Sequence, residues 1–335
     1  MDWSKGYSAT YYMEQVDPAT WRDIGLIRLT GGSIKREPTG KRESADVACK
    51  GVDVGIEMWV RIYLDVEQGG ASAHVPLFTG LATTPDHDFD GNVKSNTLQC
   101  YSVLKACEDI SLPLGWYAPA GASGGGVIRG LLGATPAPVV IADDAPFLSE
   151  AIIAESNENN LTMIDRILTA IDWRLRITGD GTIYVGPKPV EPVLTLDPIG
   201  NDMIENQVKV SADYYSCPNV YRATSGDMTG IARDENPDSP LSIVNRGREV
   251  WRTESGVALS NNESIALYAQ RMLRQAQQVR KTSTYTRRYH PDLLPGDLVR
   301  MDYPIQGLQG VFEIQSQTVT LGYGGSTSEQ IASRS

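Results

Sequence analysis

Alternation of apolar and polar positions dominates the first third of the chain. Glu57-Met-Trp-Val-Arg-Ile-Tyr-Leu-Asp65 places Met58, Val60, Ile62 and Leu64 at every second position. That is the two-residue period of a strand with one apolar face. Tyr7 to Met13 reads as a strand and Asp17-Pro-Ala-Thr20 as a turn. Trp21 to Thr30 is extended, and Gly31 to Lys35 and Ser44 to Lys50 form further strands. Val75 to Ala82 and Val93 to Tyr101 are predicted to pair across an acidic turn, Asp86 to Asn92. Short strands at this spacing predict a small barrel or sandwich over residues 1–112.

The pattern changes over residues 113–192. Ala118 to Gly126 is a small-residue loop, and Ala134-Thr-Pro-Ala-Pro138 a stiffer one. Asp144-Ala-Pro146 predicts the start of a short helix running to about Ala154, since proline fits the first helical turn. A second helix starts near Asn160 with Leu161, Ile164, Leu168 and Ile171 as its apolar stripe. Trp173 to Ile177 and Thr182 to Val185 flank Gly179-Asp-Gly181, a hairpin signal. This is a mixed α+β module.

Residues 193–335 are again rich in strand residues but carry a helix predicted over 261–281. Ser260 sits three residues before Glu263, the spacing of a capping box. Ile265, Ala269, Met272, Ala276 and Val279 follow at steps of three and four. Thr284 to Met301 reads as strand, turn, strand. In Leu294-Pro-Gly-Asp-Leu-Val299, Pro295 presets φ, Gly296 accepts positive φ and Asp297 bonds nearby backbone. Gly310 to Thr320 closes the strands before a polar tail expected to fray. The fold class is therefore α+β and β-rich, with two barrel-like modules bracketing a mixed one and no close internal repeat.

At 335 residues the chain is long for one core and predicts two or three domains. A net charge of −11 argues against duplex DNA as a direct ligand, which needs clustered Lys and Arg. The four cysteines, Cys49, Cys100, Cys107 and Cys217, have no C-x-x-C spacing and read as reduced core thiols. The N-terminal residues lack the basic-then-apolar profile of a signal peptide, and no apolar run approaches a membrane span.

Candidate chemistry is sparse. Asp86, Asp88 and Asp90 before Gly91 match the first half of a calcium loop, but the twelfth position is Thr97, where a glutamate is required. Gly124-Gly-Gly126 lacks the strand, helix and lysine of a phosphate loop. None of the three histidines, His74, His87 and His290, has a nucleophile in an elbow context. No catalytic residue and no cofactor is expected. Arg271, Arg274, Arg280, Lys281, Arg287 and Arg288 form a basic stretch in an acidic chain. It reads as a solvated helix face or as a surface meeting acidic neighbours, to which arginine forks are suited. Arg271, Arg274, Arg287 and Arg288 are the candidate inter-subunit contacts.

The order of these elements resembles the baseplate and tail-tip hub family of phages, contractile-tailed prophages and related bacteriocins. That family includes PBSX-like hub proteins and the late control protein D group. The resemblance rests on Trp21 to Ile34, on Leu77-Phe-Thr-Gly-Leu81, on Asn160 to Pro187, and on the late helix with Leu294 to Val299. It implies a non-enzymatic homotrimer whose two barrel-like modules form a pseudo-sixfold ring. The ring would join a hexameric tail tube or distal tail protein above to a trimeric spike or fibre below. DNA would be transported cargo in its lumen. The implied location is the virion tail, assembled in the host cytoplasm. An acidic lumen would repel phosphates within the short screening length of physiological salt. Two readings of other classes are a tail-associated cell-wall hydrolase and a carbohydrate-binding β-protein.

Overall fold

The computed structural model describes the chain except residue 4 and residues 51–56, 84–85, 91–92, 198–207, 213, 226, 256–263, 278–280 and 334–335. Side chains at 86–88, 90, 93–95, 212 and 225 are likewise outside the described residues. Two compact units result: Met1–Val208 with Thr284–Ile331, and Lys209–Ser283 with Ala332–Ser335.

In the first unit, β1 (Ser8–Asp17), β2 (Arg22–Arg36), β3 (Glu43–Lys50), β4 (Met58–Gln68), β5 (Ala71–Ala82), β6 (Asp86–Asp90) and β7 (Val93–Ser102) follow the alternation closely. The order β1-β4-β5-β7-β3-β2, with β2 returning to β1, closes six of them into a barrel. Closure removes the exposed edges that an open sheet would present. Met13, Ile34, Val47, Val60, Ile62, Leu64 and Leu98 fill its core. Gly31 to Lys35 is no separate strand: β2 is continuous, and Gly32–Arg36 pairs with β3 on one side and with a late strand on the other. The acidic segment also differs from expectation. Asp86–Asp90 is a strand paired with Val93–Thr97, so β5 meets β7 only from Gly80 to Ala82.

Next come α1 (Lys105–Glu108), β8 (Tyr117–Ala118), α2 (Gly124–Leu132), β9 (Val139–Ile141), β10 (Ile152–Ile153), α3 (Asn160–Ala170), β11 (Trp173–Ile177), β12 (Ile183–Pro187) and β13 (Leu194–Leu196). Two expectations fail here. The glycine run opens α2 instead of a loop, with the Ser123 hydroxyl accepting from Gly126 N at 3.3 Å. A Cβ on Gly124 would meet Ile171 at 3.0 Å, and one on Gly125 would meet Ala145 at 2.7 Å, so close packing offsets the helix penalty of glycine. No helix follows Pro146; the segment is irregular and ends in β10. By contrast α3 starts at Asn160 under an Asn159 cap and buries Leu161, Ile164 and Leu168. The β11–β12 hairpin forms with Ile177 opposite Ile183.

The second unit contains β14 (Lys209–Ala212), β15 (Val220–Ser225), β16 (Met228–Arg233), α4 (Ile243–Arg246), β17 (Trp251–Ser255) and α5 (Ile265–Ala276). The predicted Ser260–Glu263 cap lies outside the described residues. Ser264 caps α5, accepting from Leu267 N at 3.3 Å. The helix ends at Ala276, short of the predicted Lys281, which already begins a strand. Its buried stripe is Ala269 and Leu273, with Ile265, Tyr268 and Met272 half-buried, packed on Tyr221, Ala223 and Ala232 of the β16-β15-β17 sheet. The late helix thus belongs to its own small sheet.

The chain closes with β18 (Lys281–Arg287), β19 (Leu298–Tyr303), β20 (Leu308–Leu321) and β21 (Thr327–Ser333). The tail expected to fray is instead a strand, with Ile331 fully buried and Glu329 1% exposed. β13 joins β19 in parallel, β19 pairs β20, and β20 pairs β21 and β2. One sheet therefore passes from the closed barrel into the late strands. Tyr285, Val299, Met301, Phe312 and Ile314 form the late core.

Candidate functional site

The segment Leu294 to Val299 forms the predicted tight turn. Gly296 has φ +84, and Asp297 N donates to Leu294 O at 3.0 Å. That positive φ is why glycine follows Pro295. The Asp297 carboxylate, 1% exposed, accepts from Leu294 N at 3.0 Å and from Arg174 Nη1 at 2.8 Å. Arg174 also donates to Gly296 O at 3.0 Å. The turn thereby fastens β11 of the mixed module to the start of β19.

A second joint links the barrel to the late strands. Arg287 forms a two-pronged pair with Glu329, Nε to Oε2 at 2.7 Å and Nη2 to Oε1 at 2.6 Å. Tyr285 Oη donates to the same carboxylate at 2.8 Å, and Gln317 Nε2 at 2.7 Å. Gln317 Oε1 in turn accepts from Arg36 Nη1 at 2.5 Å, and Arg36 Nη2 donates to Leu77 O. Burial alone would raise the Glu329 pKa, but the Arg287 charge and the surrounding donors hold it below the usual carboxylate range. Glu43 shows the opposite balance. Its ion pair with Arg36 Nε is long, at 3.7 Å, its Oε1 has no hydrogen-bond partner among the described residues, and burial pushes its pKa up to about 8. Two buried carboxyls on one network thus differ because donors surround one and not the other.

A third joint fastens the mixed module to the outer face of the barrel. Arg61 Nη1 donates to Asp23 Oδ1 at 2.8 Å, and Nη2 to Asp180 O at 3.2 Å. Trp21 Nε1 donates to Asp180 O at 3.0 Å, and Thr79 Oγ1 to Gly179 O at 2.8 Å. Arg61 stands in the opposite alternation phase to Val60 and Ile62 and yet is buried, because the hairpin loop covers it. The signal for these joints lay in charges within the strand alternation: Arg36 and Glu329 in phase with buried Ile34 and Ile331, and Arg61 between Val60 and Ile62. Sequence reasoning passed over all three.

The predicted contact residues are dispersed. Arg271 and Arg274 are exposed on α5, with Arg271 5.0 Å from the Tyr268 ring centroid. Arg287 is 2% exposed and committed to Glu329, which corrects its reading as a surface contact; the carboxylate that drew it inside lies in the tail read as polar. Arg288 lines a cleft of about 410 Å³ with Trp3, Thr195 and His290. His290 has a lowered pKa from burial and from the Arg287 charge. Asp86, Asp88 and Asp90 lie along an extended strand, with their side chains outside the described residues. Among the described residues there is no cluster of three metal-ligating side chains, and no helix is long and apolar enough to cross a membrane. All four cysteines are buried. Apolar side chains stand exposed on the mixed module: Leu114, Phe147, and Tyr117 opposite Ile153 across the β8–β10 pair.

No protein-family model and no curated protein sequence matches the chain. Solved structures do. A tail protein from Neisseria meningitidis MC58 aligns with TM-score 0.65 and 17% identity, covering 98% of this chain and 97% of that one. The 43 kDa tail protein of prophage MuSo2 from Shewanella oneidensis gives TM-score 0.64 and 12% identity, with 97% of each chain covered. Prophage tail protein gp18 from Listeria monocytogenes EGD-e gives 0.54 and 14% over 97% of this chain and 94% of that one. The chain has the fold of phage and prophage tail proteins. It is a β-rich α+β protein of that fold along nearly its whole length.

Proposed function

We propose that this chain is a structural component of a phage or phage-like tail, located in the virion and acting as a baseplate or tail-tip hub. The observation that carries the reading is the end-to-end likeness to tail proteins, which leaves little of either chain unmatched. Fold alone does not fix function; the joints described above supply the physical complement. Three polar anchors fasten a closed barrel, a mixed module and a set of late strands within one unit, as a rigid assembly part requires. Exposed Leu114, Tyr117, Phe147 and Ile153 are the kind of apolar surface that partners cover. The hub works without catalysis, as a homotrimer with a pseudo-sixfold ring between tail tube and spike or fibre, and DNA passes through its acidic lumen.

The test is native mass spectrometry of the purified chain, alone and with its neighbouring tail proteins, followed by electron-microscopic imaging. Trimers that appear as rings with six similar lobes support the hub. A species that stays monomeric with every neighbour overturns it. Clearing of purified peptidoglycan by the same preparation would move the protein to the hydrolase class.

A further inference from the structure

Four side chains around one small void share an unusual property. Arg36 Nε, Arg42 Nε, Arg176 Nε and Glu43 Oε1 are all buried and all without a hydrogen-bond partner among the described residues. Arg36, Arg42 and Glu43 are 4%, 6% and 5% exposed. All four residues line a small half-open pocket of about 20 Å³ where the β2–β3 turn meets β11 and Leu294-Pro295. That space holds one water-sized species. Each orphaned group carries the desolvation cost of an unmade hydrogen bond, so three donors and one carboxyl oxygen at one place call for a common occupant.

The donor count selects the occupant. An arginine Nε–H donates only. Three such donors need an acceptor, and a water oxygen has lone pairs for only two of them, whereas a monatomic anion accepts from all three. Glu43 Oε1 is the one exception, and burial raises the Glu43 pKa to about 8, so near neutrality its carboxyl adds a fourth donor. The surrounding charge agrees. Arg42 Nη2 pairs with Asp165 at 2.5 Å, while Arg174 and Arg176 share Asp297 at 2.8 and 3.9 Å. The Arg36–Glu43 pair is longer, at 3.7 Å. Even with Glu43 ionised, the four guanidiniums outnumber the three carboxyls, and Glu37 at the rim is exposed to solvent screening. Guanidinium is more weakly hydrated than ammonium, which favours pairing with a partly desolvated anion.

We infer that the void binds a small monovalent anion of the halide class, which ties the β2–β3 turn of the barrel to β11 and to the Leu294–Val299 turn. The anion accepts from Arg36, Arg42 and Arg176 and serves as a structural pin at the junction of all three parts of the first unit.

Crystals of the full chain grown in sodium bromide test this directly. An anomalous peak within hydrogen-bond distance of Arg36 Nε and Arg42 Nε is expected. In solution, the melting temperature should rise with sodium chloride above its value in sodium gluconate of equal ionic strength. Arg176→Gln, at the more exposed wall, should fold and lose that chloride-specific rise. A map with no peak at the void overturns the inference. So does a peak without any chloride-specific rise, which would mark an adventitious ion, or a rise that persists unchanged in Arg176→Gln.

Discussion

Arg287 and Glu329 face each other across β18 and β21 through two hydrogen bonds of 2.7 and 2.6 Å, each residue at most 2% exposed. A buried pair of this kind is costly to break from one side, because the survivor is left charged and desolvated. Arg287→Met or Glu329→Leu alone should each destabilise by about 3–5 kcal/mol, while the double substitution recovers much of the loss. Urea denaturation of the three variants checks this. A double variant that loses the sum of the two single losses would mean that the pair is not coupled.

Glu43 gives a pH dependence of definite sign. Its folded pKa of about 8 lies above the ordinary 4.5, so below 4.5 both states are protonated and the stability is fully present. Between those values the unfolded carboxyl has ionised and the folded one has not, so stability falls as pH rises. The slope approaches about 1.36 kcal/mol per pH unit for one proton. Glu329, with its lowered pKa, contributes with the opposite sign at acid pH. The difference between wild type and Glu43→Gln isolates the first effect. The glutamine variant should gain relative stability from pH 5 to 8, as followed by thermal melts.

The Leu294–Val299 turn should be intolerant at two positions for two reasons. Gly296→Ala forces a Cβ into φ +84 and should cost about 1–3 kcal/mol. Asp297→Ala strips Leu294 N of its side-chain acceptor and Arg174 of its buried carboxylate, and should cost about 3 kcal/mol or more. Hydrogen exchange at β11 should rise in Asp297→Ala and stay near wild type in Gly296→Ala, since only the first breaks the bond to Arg174.

Surface charge reversal should separate folding from assembly. Arg271→Glu with Arg274→Glu changes exposed positions on α5, so the unfolding midpoint should move by no more than about 0.5 kcal/mol equivalent. If the proposed ring uses this face, sedimentation velocity should show a loss of trimer with folding intact. Unchanged trimer would remove α5 from the interface.

The strand pattern was legible wherever one face alone decided burial. Met58, Val60, Ile62 and Leu64, the stripe of α3 and the turn at Pro295-Gly296 all formed as their local chemistry dictates. The misreadings share a cause. The glycine run at 124–126 became helix because Ile171 and Ala145 lie where a Cβ would stand. The polar tail became a strand because Glu329 found Arg287 across β18, 42 residues away in sequence. Arg287, read as a surface contact, went inside for the same reason.

What the sequence alone determined is the local menu: periods of two and of three to four, turn chemistry and an acidic net charge. Those follow from interactions between near neighbours, which any window of residues contains. What only the tertiary structure decided is which charges are buried and with whom. Arg36, Arg61, Asp297 and Glu329 each depend on a partner that folding brings from a distant segment, because a desolvated charge is tolerable only where its counter-charge or donors also arrive. The joints that hold the barrel, the mixed module and the late strands together are therefore products of the fold.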